Sequence, residues 1–206
     1  MSFLKTVIIT IFLIMSVTTV RSQEEKSVED AMGLNIGVMA PMFRALDADS
    51  NTFILEETIK NGPVVIIFYR GHWCPVCNKH LSIIQDSLKL IEEVGATVIA
   101  VSPEKPEFLN IMGEKVEAQF PLLYDEDYKI AEAYDVNFKP SAMQLFTYNV
   151  ILRGDLKNTH TDNSQLLPIP ATYIVDKKGK IIWRQFDHDY KKRSSVLDIL
   201  RVLQEN

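Results

Sequence analysis

Two cysteines three positions apart constrain this sequence more than any other feature, and they are the only cysteines in the chain. Cys74 and Cys77 follow an apolar, β-branched run at residues 64–69 (VVIIFY), which predicts a buried strand. Beyond Cys77, apolar residues recur at alternating intervals of four and three as far as Ile91, which predicts one face of an α-helix that ends at Gly95. The pair is therefore expected where a strand turns into a helix.

This position favours a reactive thiolate at Cys74, which lies near the predicted N-cap. Unpaired N–H groups and the positive end of the helix dipole stabilise an anion there, so the thiol pKa should fall below its usual value of about 8.5. Pro75 suits the first helical position, where its missing N–H costs nothing. Cys77, one turn away, can then attack a mixed disulfide formed at Cys74. The expected product is a Cys74–Cys77 disulfide.

Two other roles for the cysteines stay open. A structural disulfide across so short a loop would stabilise the fold by only on the order of 2 kcal/mol. A copper-delivery module could use the two thiolates and His188, because a two-coordinate thiolate site suits Cu(I). However, the chain has no second cysteine pair, and its four histidines form no spaced ligand pair. Redox cycling without a metal or another cofactor is the favoured role.

Residues 1–22 are typical of a secretory signal peptide. Lys5 precedes an apolar run at residues 7–15 that is short for a membrane span, and small residues precede a candidate cleavage point after Ser22. The alternative is an uncleaved segment that anchors the protein in a membrane. We expect export to the periplasm, with membrane contact only during export. Disulfides persist in such a compartment, and a lone Cys-x-x-Cys needs an external thiol donor there.

The composition narrows the domain organisation and the partners. Residues 23–33 are polar and are expected to form a flexible lead-in, and residues 34–206 suffice for one domain with a substantial core. The chain has a formal net charge of −5 and no basic cluster, which argues against nucleic acid as a partner. The sequence does not indicate an oligomeric state.

The remaining segments predict alternating strands and helices. They are an N-terminal β-hairpin with its turn at 47–51, a strand at 97–101, a helix at 106–116, a short strand near 120–124, a helix capped by Asp125 or Asp127, an antiparallel hairpin at 171–183 and a helix that begins at Ser195. Such an order implies an α/β fold with a central mixed sheet and helices on both faces. Residues 139–165 have no clear periodicity and form an insertion, which either contacts a partner or substrate or is a surface excursion.

Four segments resemble the thioredoxin superfamily and, within it, the peroxiredoxin-like AhpC/TSA family. They are GVMAPMF at 37–43, FYRGHWCPVC at 68–77, Ser102-Pro103 and LPIPATY at 167–173. The resemblance implies a thioredoxin-like fold with the N-terminal hairpin as an extension. It also implies that the protein reduces peroxides and is reduced in turn by a thioredoxin-like or other thiol donor.

The motif departs from the peroxiredoxin pattern Pro-x-x-x-Thr-x-x-Cys, whose attacking cysteine aligns with Cys77. In thioredoxin-like proteins the first cysteine attacks, which is Cys74 here. Arg70 replaces the proline of the pattern, and it either places a positive charge near the site or is solvated on the surface. Pro170 stands where an arginine is expected. Resemblance to thioredoxins implies a cis bond before Pro170 that faces the disulfide, with Trp73 packed beside the disulfide where partners dock.

Thioredoxins also bury an acid in the strand before the motif, where this chain has Phe68. Proton transfer is therefore expected to use water or another group. Thiol-dependent peroxide reduction is the favoured function. Direct reduction or oxidation of protein disulfides is the alternative, and copper delivery is third.

Overall fold

The computed structural model describes residues 26–206. The predicted signal peptide, its cleavage point and the alternative membrane anchor lie outside the described residues. Between residues 26 and 206, no helix has both the length and the apolar composition of a membrane span.

Three sheets are formed by nine short strands in the described part of the chain. The strands are β1 (Arg44–Leu46), β2 (Thr52–Ile54), β3 (Val64–Phe68), β4 (Thr97–Ser102), β5 (Leu122–Tyr124), β6 (Asn137–Phe138), β7 (Leu167–Pro168), β8 (Ala171–Val175) and β9 (Ile181–Phe186). The central sheet has the order β5-β4-β3-β8-β9, in which β3, β4 and β5 are parallel and β8 and β9 are antiparallel to their neighbours. β1 and β2 form a separate antiparallel hairpin. Both the mixed sheet and the N-terminal hairpin are confirmed.

Helices cover both faces of the central sheet. The α-helices of the described residues are α1 (Leu55–Thr58), α2 (Pro75–Asp86), α3 (Leu88–Glu93), α4 (Pro106–Val116), α5 (Lys129–Ala133), α6 (Ala142–Phe146), α7 (Leu156–Thr159) and α8 (Val196–Glu205). Residues of α2, α3, α4 and α8 pack on one face with Val65 and Ile67, and residues of α1 and α5 pack on the other with Val64, Ile66 and Phe68. β3 is thus buried on both faces, which explains its uninterrupted apolar sequence.

The helix predicted to run from Cys77 to Gly95 is interrupted at Ser87. Ser87 has φ −110° and ψ 4°, which separates α2 from α3. The predicted apolar residues are nevertheless buried on both sides of the break, as at Leu81 and Ile91. Periodicity reports a shared buried face and does not detect a single non-helical residue, so the face was predicted correctly and the continuity was wrong.

Residues 26–33, the described part of the expected lead-in, lie against the domain. Lys26 Nζ pairs with Asp135 Oδ1 at 2.6 Å, and the other oxygen of this carboxylate accepts a hydrogen bond from the Met32 backbone at 3.2 Å. Ala31 is fully buried in the core that also contains the cysteines. The segment is therefore attached to the domain and contributes Ala31 to its core.

Candidate active site

Cys74 is the N-cap of α2, and Pro75 occupies the first turn, as predicted. Cys74 Sγ accepts a hydrogen bond from the Cys77 backbone N–H at 3.4 Å. Both cysteines are free and buried, and their sulfurs lie 2.6 Å apart. The dithiol is therefore placed to form an intramolecular disulfide.

Arg70 turns from the end of β3 back onto the helix N-terminus. Its Nη2 donates to Cys74 Sγ at 3.2 Å, and the residue is only 2% exposed. The guanidinium carbon also lies 5.4 Å, 4.9 Å and 4.1 Å from the ring centroids of Trp73, Tyr148 and Tyr190. These cation–π contacts offset part of the cost of burying the charge. Of the two roles open to Arg70, the structure supports the buried positive charge at the site.

The two thiols differ in acidity. The hydrogen bond from the Cys77 thiol, the charge and hydrogen bond of Arg70 and the Cys77 backbone N–H lower the pKa of Cys74 to about 6, although burial opposes them. Burial raises the pKa of Cys77 well above its ordinary value, and the hydrogen bond to Cys74 and the negative charge there act in the same direction. These opposite shifts favour the thiolate at Cys74, with the Cys77 thiol donating to it. This geometry favours Cys74 as the nucleophile.

A buried carboxylate supports the loop before Cys74. Glu104 follows β4 and is fully buried; its Oε2 accepts from the His72 backbone N–H at 2.8 Å, and its Oε1 lies 2.7 Å from His72 Nδ1. Burial raises the pKa of Glu104, although its contacts with His72 act in the opposite direction. Sequence reasoning missed Glu104. The sequence did contain a clue to Glu104, which follows a predicted strand just as the cysteine motif does. Neighbouring parallel strands end at the same edge of a sheet, so the residues after them lie close together.

Gly71 permits this close packing. Its φ is +152°, and a Cβ there would lie 2.5 Å from both Glu104 Oε1 and Trp73 Nε1. Trp73 is itself buried and packs on Tyr148 with 5.2 Å between the ring centroids. Trp73 shares a buried core with both cysteines, and Tyr148 joins this core from the insertion.

The insertion at residues 139–165 forms part of the site. It contains α6, a π-helix (Thr147–Ile151) and α7. Ser141 and Gln144 cap α6 reciprocally. Tyr148 belongs to the π-helix and contacts Arg70 and Trp73, so this segment packs against the residues around the cysteines. No motif marked Tyr148 because its partners are tertiary.

Pro170 lines a small cavity together with Arg70. The cavity measures about 30 Å³ and is also lined by Tyr148, Tyr190 and Ile169. The bond before Pro170 is not cis, so the prediction of a cis bond was wrong. A trans bond is favoured by about 0.5–1 kcal/mol before proline, and the extended segment is held by a 2.7 Å hydrogen bond from Ile169 N–H to the Val136 carbonyl.

His188 does not act as a third ligand for the proposed copper site in this structure. The Nε2 atom of His188 lies 2.8 Å from the carbonyl oxygen of Ala31. Over residues 26–206, no group of three or more His, Cys, Asp and Glu side chains is arranged to hold a metal ion.

Comparison with known proteins places the chain in a family. Residues 36–184 match the model of the AhpC/TSA family. The chain belongs to the AhpC/TSA family. This AhpC/TSA chain is 28% identical over 171 residues to the chloroplastic peroxiredoxin Q of Populus jackii, covering 83% of this chain and 68% of that protein. It is 26% identical over 181 residues to peroxiredoxin Bcp of Bacillus subtilis, covering 84% and 98%.

A solved structure confirms the fold of this AhpC/TSA chain. The crystal structure of peroxidoxin BcpB from Mycobacterium tuberculosis superposes with a TM-score of 0.64 at 20% identity, covering 84% of this chain and 97% of that chain. The thioredoxin-like architecture predicted from the sequence is therefore shown by both the sheet topology and the superposition.

Proposed function

We propose that this AhpC/TSA protein is a thiol peroxidase in which Cys74 attacks the peroxide. The observation that carries the proposal is the 3.2 Å hydrogen bond from Arg70 to Cys74 Sγ inside a buried site. It stabilises a thiolate at neutral pH, and a thiolate is the form of cysteine that attacks an O–O bond. The names of the relatives, peroxiredoxin Q and peroxiredoxin Bcp, support the same chemistry.

The first half of the cycle oxidises Cys74. Its thiolate attacks one peroxide oxygen, the O–O bond breaks, and Cys74 becomes a sulfenic acid while the other oxygen leaves as water or alcohol after taking a proton. Arg70 is placed to stabilise the negative charge that develops on the departing oxygen. The cavity of about 30 Å³ beside Arg70 matches a molecule close to water in size, so we propose hydrogen peroxide as a substrate.

The second half of the cycle uses Cys77. Its thiol lies 2.6 Å from Cys74 Sγ and attacks the sulfenic sulfur, which forms the disulfide and releases water. An external thiol donor of the thioredoxin-like kind then supplies two electrons and returns both cysteines to the reduced state.

Rapid mixing of the reduced protein with hydrogen peroxide, followed by tryptophan fluorescence and by mass, tests this function. Wild type and Cys77→Ser should be oxidised far faster than free cysteine, and Cys77→Ser should keep a sulfenic acid on Cys74. Cys74→Ser should react at the rate of free cysteine. Wild-type oxidation at only that slow rate would refute the proposal.

Direct exchange with protein disulfides is a second candidate, because Cys74 is an N-cap thiol with a lowered pKa in a Cys-x-x-Cys motif. This function requires slow peroxide oxidation together with turnover of a model protein disulfide such as insulin. A reduction potential of about −270 mV would favour a reductant, and one of about −120 mV would favour an oxidant.

We further propose that the protein is exported to the periplasm after cleavage behind Ser22. The proposal is supported by the basic, apolar and small residues of segment 1–22. N-terminal sequencing of the protein recovered from the periplasmic fraction should begin at Gln23. A chain that keeps residues 1–22 and sediments with membranes would support the anchor instead.

A further inference from the structure

A groove lies between α2 and the segment that leads into α8. It measures about 780 Å³, which lies within the roughly 300–1,000 Å³ that small-molecule sites occupy. Its apolar lining consists of Pro75, Val76, Ile83, Val196 and Leu197. Ile83 is 44% exposed and Leu197 is 79% exposed, although both side chains are large and apolar. The groove therefore presents an open apolar surface to solvent.

The charged lining of this groove is basic. Lys79, Lys191 and Arg193 line it, and no acidic side chain of the described residues does. None of the three cations forms an ion pair with a residue that the structure describes. Because the whole chain is acidic, with a net charge of −5, these cations stand out as a local positive field. Such a field attracts a negatively charged ligand.

Acidic residues close to the groove in the sequence bond to other partners. Asp187 pairs with Lys192 at 2.8 Å, and Asp198 pairs with Arg201 at 2.7 Å. Asp189 accepts a hydrogen bond from a backbone N–H at 3.0 Å. The three cations of the groove are therefore available to an anion from outside the described chain.

Two buried polar groups fix the base of the groove. His80 Nε2 lies 3.0 Å from Ser194 Oγ, which in turn lies 2.9 Å from Thr172 Oγ1. Both His80 and Ser194 line the groove, so these contacts join α2 to the segment before α8. Burial and the positive charge of Arg193 lower the pKa of His80 to about 4. The base is thus formed before any ligand binds, and His80 adds no charge to it at neutral pH.

An anion with an apolar chain matches both parts of this lining. An apolar chain laid against Ile83 and Leu197 removes exposed apolar surface from water. A carboxylate matches the planar fork of Arg193, and the lysine ammonium groups add charge beside it. A small inorganic anion would leave the apolar lining in water, and a neutral hydrocarbon would leave the cations without a counter-charge.

We propose that this groove binds a free, single-chain fatty acid, with its carboxylate among Lys79, Lys191 and Arg193 and its hydrocarbon chain against the apolar lining. The site is separate from the proposed peroxidase site. Neither cysteine lines the groove, and no residue that lines it also lines the small cavity beside Arg70. A ligand that contacts both α2 and the start of α8 should stabilise the folded protein. The inference does not depend on the peroxidase function.

Three probes separate the contribution of charge from that of the apolar chain. They are dodecanoate, acetate and dodecyltrimethylammonium, each titrated into the protein below its critical micelle concentration and followed by calorimetry. Dodecanoate should bind on the order of tenfold more tightly than either of the others, and it should raise the Tm. Equal affinities for dodecanoate and dodecyltrimethylammonium, or no binding of dodecanoate, would overturn the proposal.

Charge reversal locates the carboxylate. Lys79→Glu/Lys191→Glu should weaken dodecanoate binding by on the order of tenfold and favour dodecyltrimethylammonium. Both lysines are exposed, so the fold should persist. Lys177 and Lys178 are exposed in the turn between β8 and β9, at the opposite end of β3 from the cysteines. The control Lys177→Glu/Lys178→Glu should keep the affinity for dodecanoate, and the same loss in both double variants would overturn the groove as the site.

A second pair of variants locates the hydrocarbon chain. Leu197→Ser should weaken dodecanoate binding by on the order of fivefold, because apolar contact area is lost without a change of charge. Leu90 is 53% exposed on α3 and does not line the groove. Leu90→Ser is therefore the matched control and should bind dodecanoate like the wild type. Equal effects of the two substitutions would contradict the proposed position of the chain.

Vesicles distinguish a free fatty acid from a membrane surface. The protein should stay in the supernatant when it is centrifuged with vesicles of phosphatidylcholine and phosphatidylglycerol. Sedimentation with these vesicles that Lys79→Glu/Lys191→Glu abolishes would overturn the free fatty acid in favour of an anionic membrane. None of these measurements involves the cysteines, so slow oxidation of the wild type by peroxide would refute only the peroxidase function.

Discussion

Arg70 donates a hydrogen bond to Cys74 Sγ at 3.2 Å, and neither residue is more than 2% exposed. Since water is excluded there, the guanidinium charge acts on the sulfur with little screening. The peroxiredoxin pattern has a proline at this position. In this chain the position instead supplies a charged side chain that contacts the Cys74 sulfur. The chemistry proposed for Cys74 depends on this pair.

Replacing Arg70 by methionine should raise the pKa of Cys74 from about 6 toward the ordinary cysteine value, because both a charge and a hydrogen bond are lost. A pKa as high as 8.5 would leave about one thirtieth of the thiolate at pH 7. Because the Cys77 thiol remains in this variant, peroxide oxidation should slow by less than that factor. Thiolate ultraviolet absorbance measured against pH checks the shift. Arg70→Lys, which keeps the charge, should lie between the two. An unchanged titration in Arg70→Met would contradict the assignment.

Substitutions at Cys77 separate its hydrogen bond from its redox role. The Cys77 thiol is the largest cause of the lowered pKa of Cys74. Cys77→Ala should therefore raise the pKa of Cys74 more than Cys77→Ser, whose hydroxyl can still donate. Neither variant can form the disulfide. Thiolate titration of the two variants measures the difference, and identical curves would show that Cys77 does not act through this bond.

The Glu104 carboxylate should act by holding the loop at His72. Glu104→Ala leaves a buried backbone donor unsatisfied, so we expect a loss of roughly 2–3 kcal/mol in the free energy of unfolding and slower peroxide oxidation. Glu104→Gln can still accept from the His72 N–H and should lose less. Urea denaturation of both variants checks the order. Equal losses would mean that the contribution of Glu104 is its charge.

Asp125 should make stability depend on pH. It is buried and accepts hydrogen bonds from the N–H groups of Ile130 and Ala131, yet burial raises its pKa from 3.8 to about 6. Because the folded state binds the proton more tightly, its contribution is complete below pH 3.8 and is lost as the pH rises through about 6. Asp125→Asn should lack this loss. The difference in unfolding free energy between the two proteins should change by about 2 kcal/mol from pH 4 to pH 7, and denaturation at each pH measures it.

The local features of the site could be predicted from the sequence. Each signal for these features depends only on residues close together in the chain. The signals are an apolar β-branched run, an N-cap cysteine, Pro75 at the first turn and a 3.6-residue periodicity. The strand, the turn and the buried face of α2 follow from them. The alternation of such elements predicted parallel pairing, and β3, β4 and β5 are parallel.

Only the tertiary structure decided what surrounds the cysteines. Pairing of the parallel strands β3 and β4 brings Glu104 against His72, 32 positions away in the chain. The insertion places Tyr148 against Arg70. Arg70 is therefore a buried charge, although the sequence was equally compatible with a solvated arginine. Short-range patterns contain no information about these neighbours, because burial and charge depend on chain segments that meet only when the sheet forms. The sequence by itself thus determined that two cysteines lie at a helix start and favoured a thiolate at Cys74, and the packing decided that a buried arginine contacts Cys74 and that Cys77 is enclosed.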